Sequence, residues 1–313
     1  MTGTRPSPLV ERAWQSATWR LGRAVAPLAP TARRATARVR LRPNFLVIGA
    51  QKGGTTALYR YLHEHPAALC ATPKEVHYFN VEYHRGSDWY LAHFPLATRR
   101  AAVRGRLGVW PAVGEVTPAY LFHPRVPERV HAFDPGLKLI AVLRDPVERA
   151  YSQYQMQLRG GTETRSFEYA LEREEKEWPR ELERLLADPA YVSPTGLQRS
   201  YVARGRYSEQ LERWLRFFPR EQLLILTSDD LLGDPAGATA AVAAFLGIPA
   251  WRAETYPVRS VNEYEPMAPE IRDQLARTFE PHNRLLEALL GRELPWTRAA
   301  VLAPVLGPGP RSS

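Results

Sequence analysis

Short apolar runs alternate with amphipathic stretches along the middle of the chain. The clearest apolar runs cover residues 45–48, 137–143 and 222–226, a length typical of buried strands. Segments with helical spacing lie between them, including residues 207–218. Strands separated by helices favour a parallel sheet with helices on both faces, so the pattern predicts an α/β fold with three layers.

Aspartate followed by proline marks two of the predicted helix starts. Aspartate is a favoured N-cap residue, and proline fits the first helical position because its fixed φ suits a helix. Asp145 and Pro146 follow the second apolar run and predict a helix that ends near Leu158. Asp234 and Pro235 predict another helix after the third run.

Residues 1–43 differ from the rest of the chain. Before the arginine-rich stretch 33–42, apolar residues recur at helical spacing, namely Val10, Trp14, Ala17, Leu21, Ala24 and Leu28. This pattern is compatible with peripheral contact of an amphipathic helix with an anionic membrane, or with a helix packed on the domain and followed by a solvated linker. We divide the sequence into a basic, partly helical extension (1–43), one main domain (44–298) that ends with a helix at 268–290, and a flexible tail (299–313).

The composition limits the partners and the structural classes. Lys and Arg number 42 against 33 Asp and Glu, and the formal charge of +9 favours anionic partners such as nucleic acids, nucleotides, acidic glycans or anionic lipids. Cys70 is the only cysteine, so no disulfide within the chain and no multi-cysteine metal site can form. No apolar run is long enough for a membrane span or a signal peptide, and we therefore expect a cytoplasmic protein.

The first apolar run leads directly into a glycine turn and the start of a helix. Such a turn directs backbone N–H groups and the positive end of the helix dipole toward one point, which makes an anion site. Lysine adds a mobile positive charge, the glycines permit close approach, and the threonines add hydroxyl donors. The candidate ligands in this loop are Gln51, Lys52, Gly53, Gly54, Thr55 and Thr56.

This loop differs from that of the nucleoside triphosphatases. Gly49 and Gly54 match both glycines of the pattern G-x-x-x-x-G-K-[ST], but Thr55 stands at the lysine position and Lys52 comes three residues earlier. Asp145 is interpreted as a helix cap, and the chain has no convincing magnesium-binding acid. The sequence therefore predicts a P-loop-like three-layer fold, with a central parallel sheet flanked by helices, that binds its anion without a metal.

Three further segments contain charged, imidazole or hydroxyl side chains that could bind a ligand or take part in catalysis. They read Lys-Glu-Val-His-Tyr-Phe at 74–79, Arg-Asp-Pro-Val-Glu-Arg-Ala-Tyr-Ser at 144–152 and Gly-Arg-Tyr-Ser-Glu-Gln-Leu at 205–211. An arginine at the end of a buried strand suits a terminal phosphate, because ligands of open parallel sheets bind there.

Together with the phosphate loop, in this order and spacing, these segments resemble the sulfotransferases that use 3′-phosphoadenylyl sulfate (PAPS). Within that family they are most similar to the heparan sulfate 3-O- and N-sulfotransferases and their bacterial relatives, from about residue 44 to 296.

The resemblance implies a role for each matching residue. Lys52 and the amides of residues 53–56 would hold the phosphosulfate, and Arg144 and Ser152 would bind the 3′-phosphate of the nucleotide. Gln51 and Tyr207 join the expected cofactor-binding set. PAPS is then the expected co-substrate, with no metal and no nucleic acid, and the acceptor is a carbohydrate or a natural product.

The resemblance also assigns the catalytic base to Glu75, with Lys52 beside the departing group. His77 is the rival base, because the two side chains of an extended segment project to the same face and the sequence does not separate them. Two departures from the heparan sulfate enzymes stand out. Those enzymes commonly carry lysine where Val116 stands. They also place a Lys-Gly-Arg stretch over the cofactor, for which Arg259 is the nearest basic residue here, and the resemblance adds Arg259 to the expected cofactor-binding set.

Two other functions are compatible with parts of the sequence. A P-loop kinase or nucleoside triphosphatase would require Mg²⁺-dependent turnover of ATP. A non-catalytic module would use the basic surface to bind polyanions or membranes. The aromatic residues Tyr83, Trp89, Tyr90 and Trp110 are expected to lie in the core or to line a sugar-binding cleft.

Overall fold

A five-stranded parallel sheet lies at the centre of the protein, and the computed structural model describes residues 33–253, 255–256 and 264–297. The strands are β1 (Phe45–Gly49), β2 (Ala68–Cys70), β3 (Ala112–Val116), β4 (Lys138–Leu143) and β5 (Leu223–Thr227). Their order across the sheet is β2-β3-β1-β4-β5, and every neighbouring pair is parallel. The three apolar runs are thus confirmed as β1, β4 and β5.

Helices cover both faces of this sheet, which confirms the predicted α/β fold with three layers. They are α1 (Thr55–Glu64), α2 (Ser87–Leu91), α3 (Ala97–Leu107), α4 (Val126–Phe133), α5 (Pro146–Arg159), α6 (Phe167–Ala187), α7 (Pro194–Gln198), α8 (Tyr207–Leu215), α9 (Ser228–Gly233), α10 (Pro235–Leu246) and α11 (Pro269–Leu290). The predicted cap is confirmed at α5, where a carboxylate oxygen of Asp145 accepts the Val147 N–H at 2.9 Å.

The core lies on both sides of the sheet because successive strand residues face opposite ways. Leu46 of β1 belongs to a cluster with Trp214 of α8, and both side chains are fully buried. Val47 faces the other way and belongs to a cluster with Leu58 of α1. A third apolar cluster joins α5, α6 and α11 beside the sheet. Because all the strands are parallel and buried between these clusters, the loops that follow them lie together at one edge of the sheet.

The described end of the basic extension packs against the domain. Ala37 and Leu41 are buried in the core cluster of Leu46. Arg40 Nη1 donates to the Phe94 carbonyl at 2.6 Å, and residue 40 forms an antiparallel bridge with Leu96. The apolar residues at 10–28, on which the membrane expectation depended, lie outside the described residues, as does the tail at 299–313.

A buried carboxylate fixes the turn that precedes α8. Glu174 of α6 is only 3 % exposed, and it accepts the backbone N–H groups of Tyr201, Val202 and Ala203 at 2.7 to 2.8 Å. A carboxylate that loses water on burial must regain hydrogen bonds from the protein. Glu174 therefore replaces a missing run of backbone partners in this turn.

We expect Glu174→Ala to lower the free energy of unfolding by about 3 kcal/mol or more, because it leaves three N–H groups, two of them on buried residues, without an acceptor. Urea denaturation monitored by circular dichroism measures the change. Glu175→Ala is the matched control, since the neighbouring side chain is exposed, and its effect should stay within about 0.5 kcal/mol. Equal losses in both variants would contradict this role of Glu174.

Candidate active site

The turn after β1 has one position at which only glycine fits. A Cβ atom on Gly53 would lie 2.1 Å from the Val142 carbonyl oxygen, so any side chain there would displace the loop from β4. Gly54 has φ +105° and caps α1, and Lys52 has φ +71°. These positive φ values turn the chain sharply between the strand and the helix.

Contacts with the neighbouring strands hold this turn in place. The Ala50 N–H donates to the Val142 carbonyl at 2.9 Å. The Ser228 hydroxyl, which is buried at the start of α9, contacts the carbonyl oxygens of both Gly53 and Leu143, at 2.9 and 3.2 Å. No sequence motif marks Ser228, because its role depends on the adjacency of β4 and β5.

The turn presents donors that the rest of the described protein does not use. The N–H groups of Gly54, Thr55 and Thr56 have no backbone acceptor among the described residues. Thr55 is buried and Thr56 is exposed. Gln51 adds a buried side-chain oxygen that has no partner in the described structure. Unused N–H groups at the first turn of α1 form an anion-binding site.

Positive charge accumulates around Lys52. Burial, and after it the cations of Arg159, Arg144 and Arg149, lower its pKa to about 8, whereas Glu75 acts in the opposite direction. Arg159 is the last residue of α5, and the sequence analysis did not select it. A lysine is driven toward its neutral form when nearby cations exceed nearby anions. The excess of positive charge at this site therefore favours the binding of an anion.

Arg144 and its neighbours occupy the end of β4. Arg144 Nη2 lies 3.6 Å from Glu148 Oε2, and Glu148 Oε1 also accepts from Arg272 at 2.5 Å. Because two arginines share one carboxylate, positive charge remains at this strand end. The Tyr207 hydroxyl is buried and donates to the Arg144 carbonyl at 2.9 Å, so Tyr207 positions the arginine backbone. Ser152 is buried two turns into α5.

Residues 74–79, which we call the Glu75 turn, do not form the expected extended segment, so that expectation was wrong. Glu75 has φ +63° and His77 has φ +57°. With Lys52, they are the three non-glycine residues of positive φ among those described. Strained backbone of this kind clusters at functional sites. The Glu75 N–H anchors the turn to the Val116 carbonyl at the end of β3, at 3.0 Å.

Glu75 and His77 are partners in this turn. Glu75 forms an ion pair with Lys74, and its Oε2 lies 3.6 Å from His77 Nε2. Burial alone would raise the pKa of Glu75, but the nearby His77 ring and the charge of Lys74 outweigh burial and lower the pKa to about 2. Glu75 is therefore an ionised carboxylate at neutral pH, with an imidazole just outside hydrogen-bond distance.

A second carboxylate lies below the turn, and the sequence analysis missed it. Glu115 of β3 is 1 % exposed and accepts the hydroxyls of Thr117 and Tyr120 at 2.8 and 3.0 Å. Burial raises its pKa. The next residue, Val116, is fully buried in the cluster of Val47 and Leu58, so no cation stands at this position.

A recess adjoins the Glu75 turn and contains unused polar groups. Its empty space, including the open mouth, is about 310 Å³, and its lining includes Asn80, Phe122, His123, Leu197 and Arg204. Asn80 Oδ1 lies 3.3 Å from His77 Nδ1, which connects the recess to the Glu75 turn. One nitrogen on each of Asn80, His123 and Arg204 is buried without a partner in the described structure. The recess is thus rich in donors.

The structure brings nearly all predicted residues to the carboxyl edge of the sheet. The phosphate loop follows β1, Glu75 and His77 follow β2, and Arg144 and Ser152 follow β4. Arg259 lies outside the described residues. Among the aromatic candidates, Tyr90 is fully buried, while Tyr83 and Trp110 are 38 % and 50 % exposed.

The family model described as "Sulfotransferase domain" matches residues 42–267. The chain belongs to this family. The match begins near the predicted start of the main domain and includes every candidate site residue of the described structure. The predicted resemblance to sulfotransferases is therefore confirmed.

Curated relatives show the same kinship. The chain is 28 % identical to the membrane-associated sulfotransferase kil1 of Dictyostelium discoideum over 81 % of its length and 66 % of the relative. It is 34 % identical to the human heparan sulfate glucosamine 3-O-sulfotransferase 6 over 66 % of its length and 52 % of the relative. The matched region spans between about one fifth and two thirds of these curated relatives.

A solved structure supports the fold independently. The sulfotransferase from Alicyclobacillus acidocaldarius is 31 % identical, with a TM-score of 0.63, and the match covers 82 % of this chain and 99 % of that one. Within the described residues, no helix is both long and apolar enough to cross a membrane. The same part of the chain has no group of three His, Cys, Asp or Glu side chains placed to hold a metal.

We expect Arg159→Gln to raise the pKa of Lys52 above its value of about 8, because the substitution removes the nearby cation with the largest effect. The chain has four lysines, so NMR of isotopically labelled, methylated lysines resolves the titration. Arg277→Gln, on the exposed face of α11, is the control and should leave the Lys52 midpoint unchanged. An unchanged midpoint in Arg159→Gln would contradict this effect of Arg159 on Lys52.

Proposed function

We propose that the protein transfers a sulfuryl group from PAPS to a hydroxyl or amine of a carbohydrate or another small acceptor. The observation that carries this proposal is the excess of positive charge at the carboxyl edge of the sheet. Lys52, Arg144 and Arg159 meet there beside the unused N–H groups of the first turn of α1. Family membership supports the same reaction class.

The residues at this edge fit the two phosphate groups of the nucleotide. The turn at Gly53 leaves room for an anion against the backbone, and Lys52 adds a charge that burial has made costly. These groups would hold the phosphosulfate. Arg144 and Ser152 would hold the 3′-phosphate at the end of β4, because a guanidinium and a hydroxyl suit a phosphate monoester.

The proposed reaction is a single in-line displacement. When bound, PAPS supplies a sulfuryl group on a phosphate leaving group. Glu75 takes the proton of the acceptor hydroxyl as the new oxygen–sulfur bond forms, and His77 stabilises the carboxyl group from 3.6 Å away. Lys52 neutralises the negative charge that develops on the bridging oxygen as the sulfur–oxygen bond to phosphate breaks. Adenosine 3′,5′-bisphosphate leaves with the bonding electrons. Positioning and electrostatics supply most of the rate enhancement.

An oxygen-rich acceptor suits the recess beside His77. The unused nitrogens of Asn80, His123 and Arg204 are donors that hydroxyl or carboxylate oxygens can satisfy. Named relatives act on heparan sulfate glucosamine, which favours a carbohydrate acceptor for this chain. The buried Val116, where those enzymes commonly carry lysine, argues for a different sugar or a different pattern of charge. A cytoplasmic location stays a prediction from the sequence.

Calorimetric titration with adenosine 3′,5′-bisphosphate, without added metal, tests the nucleotide site. We expect binding by the wild type and a loss of affinity of about tenfold or more in Lys52→Ala and in Arg144→Ala, since each removes a charged contact to phosphate. Affinity should also fall as pH rises above about 8, because Lys52 must then take up a proton on binding. In Lys52→Arg this fall should disappear.

The control for this titration is Arg277→Ala, which changes an exposed cation on α11 and should bind like the wild type. Absence of nucleotide binding in the wild type would overturn the proposed function. A stronger, Mg²⁺-dependent affinity for ATP would overturn it in favour of the kinase alternative.

Glu75→Gln is expected to lower sulfuryl transfer by about 10²-fold or more while nucleotide affinity stays within a few-fold, because only proton removal is lost. Transfer from radiolabelled PAPS to heparosan and to its N-sulfated form measures the rate. His77→Gln should retain more activity than Glu75→Gln if the carboxylate is the base. The opposite order would assign the base to His77.

A further inference from the structure

Two arginine-rich segments lie side by side on one surface, which we call the arginine face. It comprises residues 33–42 and 96–110, the second of which contains α3. The Leu41 N–H donates to the Pro95 carbonyl at 2.9 Å, and Arg40 Nη1 donates to the Phe94 carbonyl. The antiparallel bridge between Arg40 and Leu96 completes the junction. Two stretches that are distant in sequence therefore form one continuous surface.

The charge of this face is not neutralised within the described protein. Its nine arginines are Arg33, Arg34, Arg38, Arg40, Arg42, Arg99, Arg100, Arg104 and Arg106. Neither segment contains an aspartate or a glutamate. None of the nine arginines forms an ion pair with another described residue. A surface with this excess of one sign attracts an anionic partner.

The face also exposes large apolar side chains. Trp110 is 50 % exposed, with Arg100 and Arg104 stacked on its ring at 4.7 and 4.0 Å from the centroid. Leu96 and Leu107, at the two ends of α3, are 41 % and 37 % exposed. Val103 is the only residue of α3 that is buried. Nearly the whole of this helix is therefore available to a partner.

We propose that the arginine face binds the surface of an anionic membrane. Tryptophan prefers the headgroup level of a bilayer, and arginine can place its alkyl stem along the apolar boundary while its charge contacts lipid phosphates. Exposed leucines beside cations add the apolar component that interfacial helices use. A soluble polyanion would use the charges but would leave these apolar side chains in water, so the combination favours the membrane. The proposal depends neither on residues 1–32 nor on the proposed reaction.

Co-sedimentation of the full chain with vesicles tests the proposal. The wild type should bind vesicles of phosphatidylcholine and phosphatidylglycerol, and bind pure phosphatidylcholine weakly. Arg99→Glu/Arg106→Glu should lower partitioning by about tenfold or more, because each cation near an anionic surface contributes to binding. Trp110→Ser should lower it several-fold without any change of charge. Neither arginine side chain makes a hydrogen bond or an ion pair with the described residues, so the fold should be retained.

The matched control is Arg216→Glu/Arg277→Glu, which changes the net charge equally at exposed positions outside the two segments of the face. It should partition like the wild type, and all variants should retain wild-type thermal unfolding. Wild-type partitioning by Arg99→Glu/Arg106→Glu would overturn the proposal and assign any vesicle binding to another segment. Loss of heparin binding in that variant, with no vesicle binding by the wild type, would assign the face to a soluble polyanion instead.

Discussion

Positive charge that the protein does not neutralise is the interaction on which the candidate site depends. A lowering of the Lys52 pKa from 10.5 to about 8 corresponds to roughly 3 kcal/mol against the charged form. Burial makes the largest contribution to this cost, Arg159 and Arg144 add to it, and Glu75 offsets only part of it. A bound anion would offset the contribution of these cations. The arrangement is thus unfavourable in the free protein and favourable for the nucleotide complex, which explains why these cations have so few carboxylate partners.

The sheet makes this arrangement possible because its strands hydrogen-bond to the strained loops and hold them in place. Lys52, Glu75 and His77 all have positive φ, although none is glycine. Hydrogen bonds to neighbouring strands hold both loops. The Val142 carbonyl accepts from the phosphate loop, and the Val116 carbonyl accepts from the Glu75 turn. The rigid core of the sheet therefore determines the geometry of residues whose local preference is different. This dependence also limits what a sequence can reveal.

The sequence predicts the fold and much of the site wherever the pattern within a single segment is sufficient. The runs that form β1, β4 and β5 are apolar along their length, and Asp145 with Pro146 marks a helix start by local chemistry. β2 has only three residues, and β3 contains Gly114 and Glu115, so neither produced an apolar run. The conformation of the Glu75 turn was mispredicted. Its positive φ values depend on contacts with β3, which its own composition does not indicate.

Other residues acquire their roles only in three dimensions. Ser228 contacts the phosphate loop because β5 lies beside β4, and Arg159 acts on Lys52 from the far end of α5. Glu115 directly precedes Val116 in the sequence, yet only its burial near the Glu75 turn identifies it. A single sequence offers no spacing rule for such contacts, since each depends on how two distant elements pack.

The chemistry of the recess follows from how its polar groups are already used. Arg204 is buried, and its other nitrogens donate to the Ser200 hydroxyl and to the Gly196 carbonyl, at 2.8 and 2.6 Å. These partners carry no formal charge, and Glu174 and Glu75 supply the negative charge that acts on the guanidinium, so its unpartnered nitrogen remains a donor. Burial lowers the pKa of His123 to about 3, and its Nδ1 accepts from the Arg125 N–H at 3.3 Å, which leaves the proton of the neutral ring on Nε2. Both side chains therefore offer N–H groups, and an acceptor bearing several oxygens satisfies them better than an aliphatic amine does.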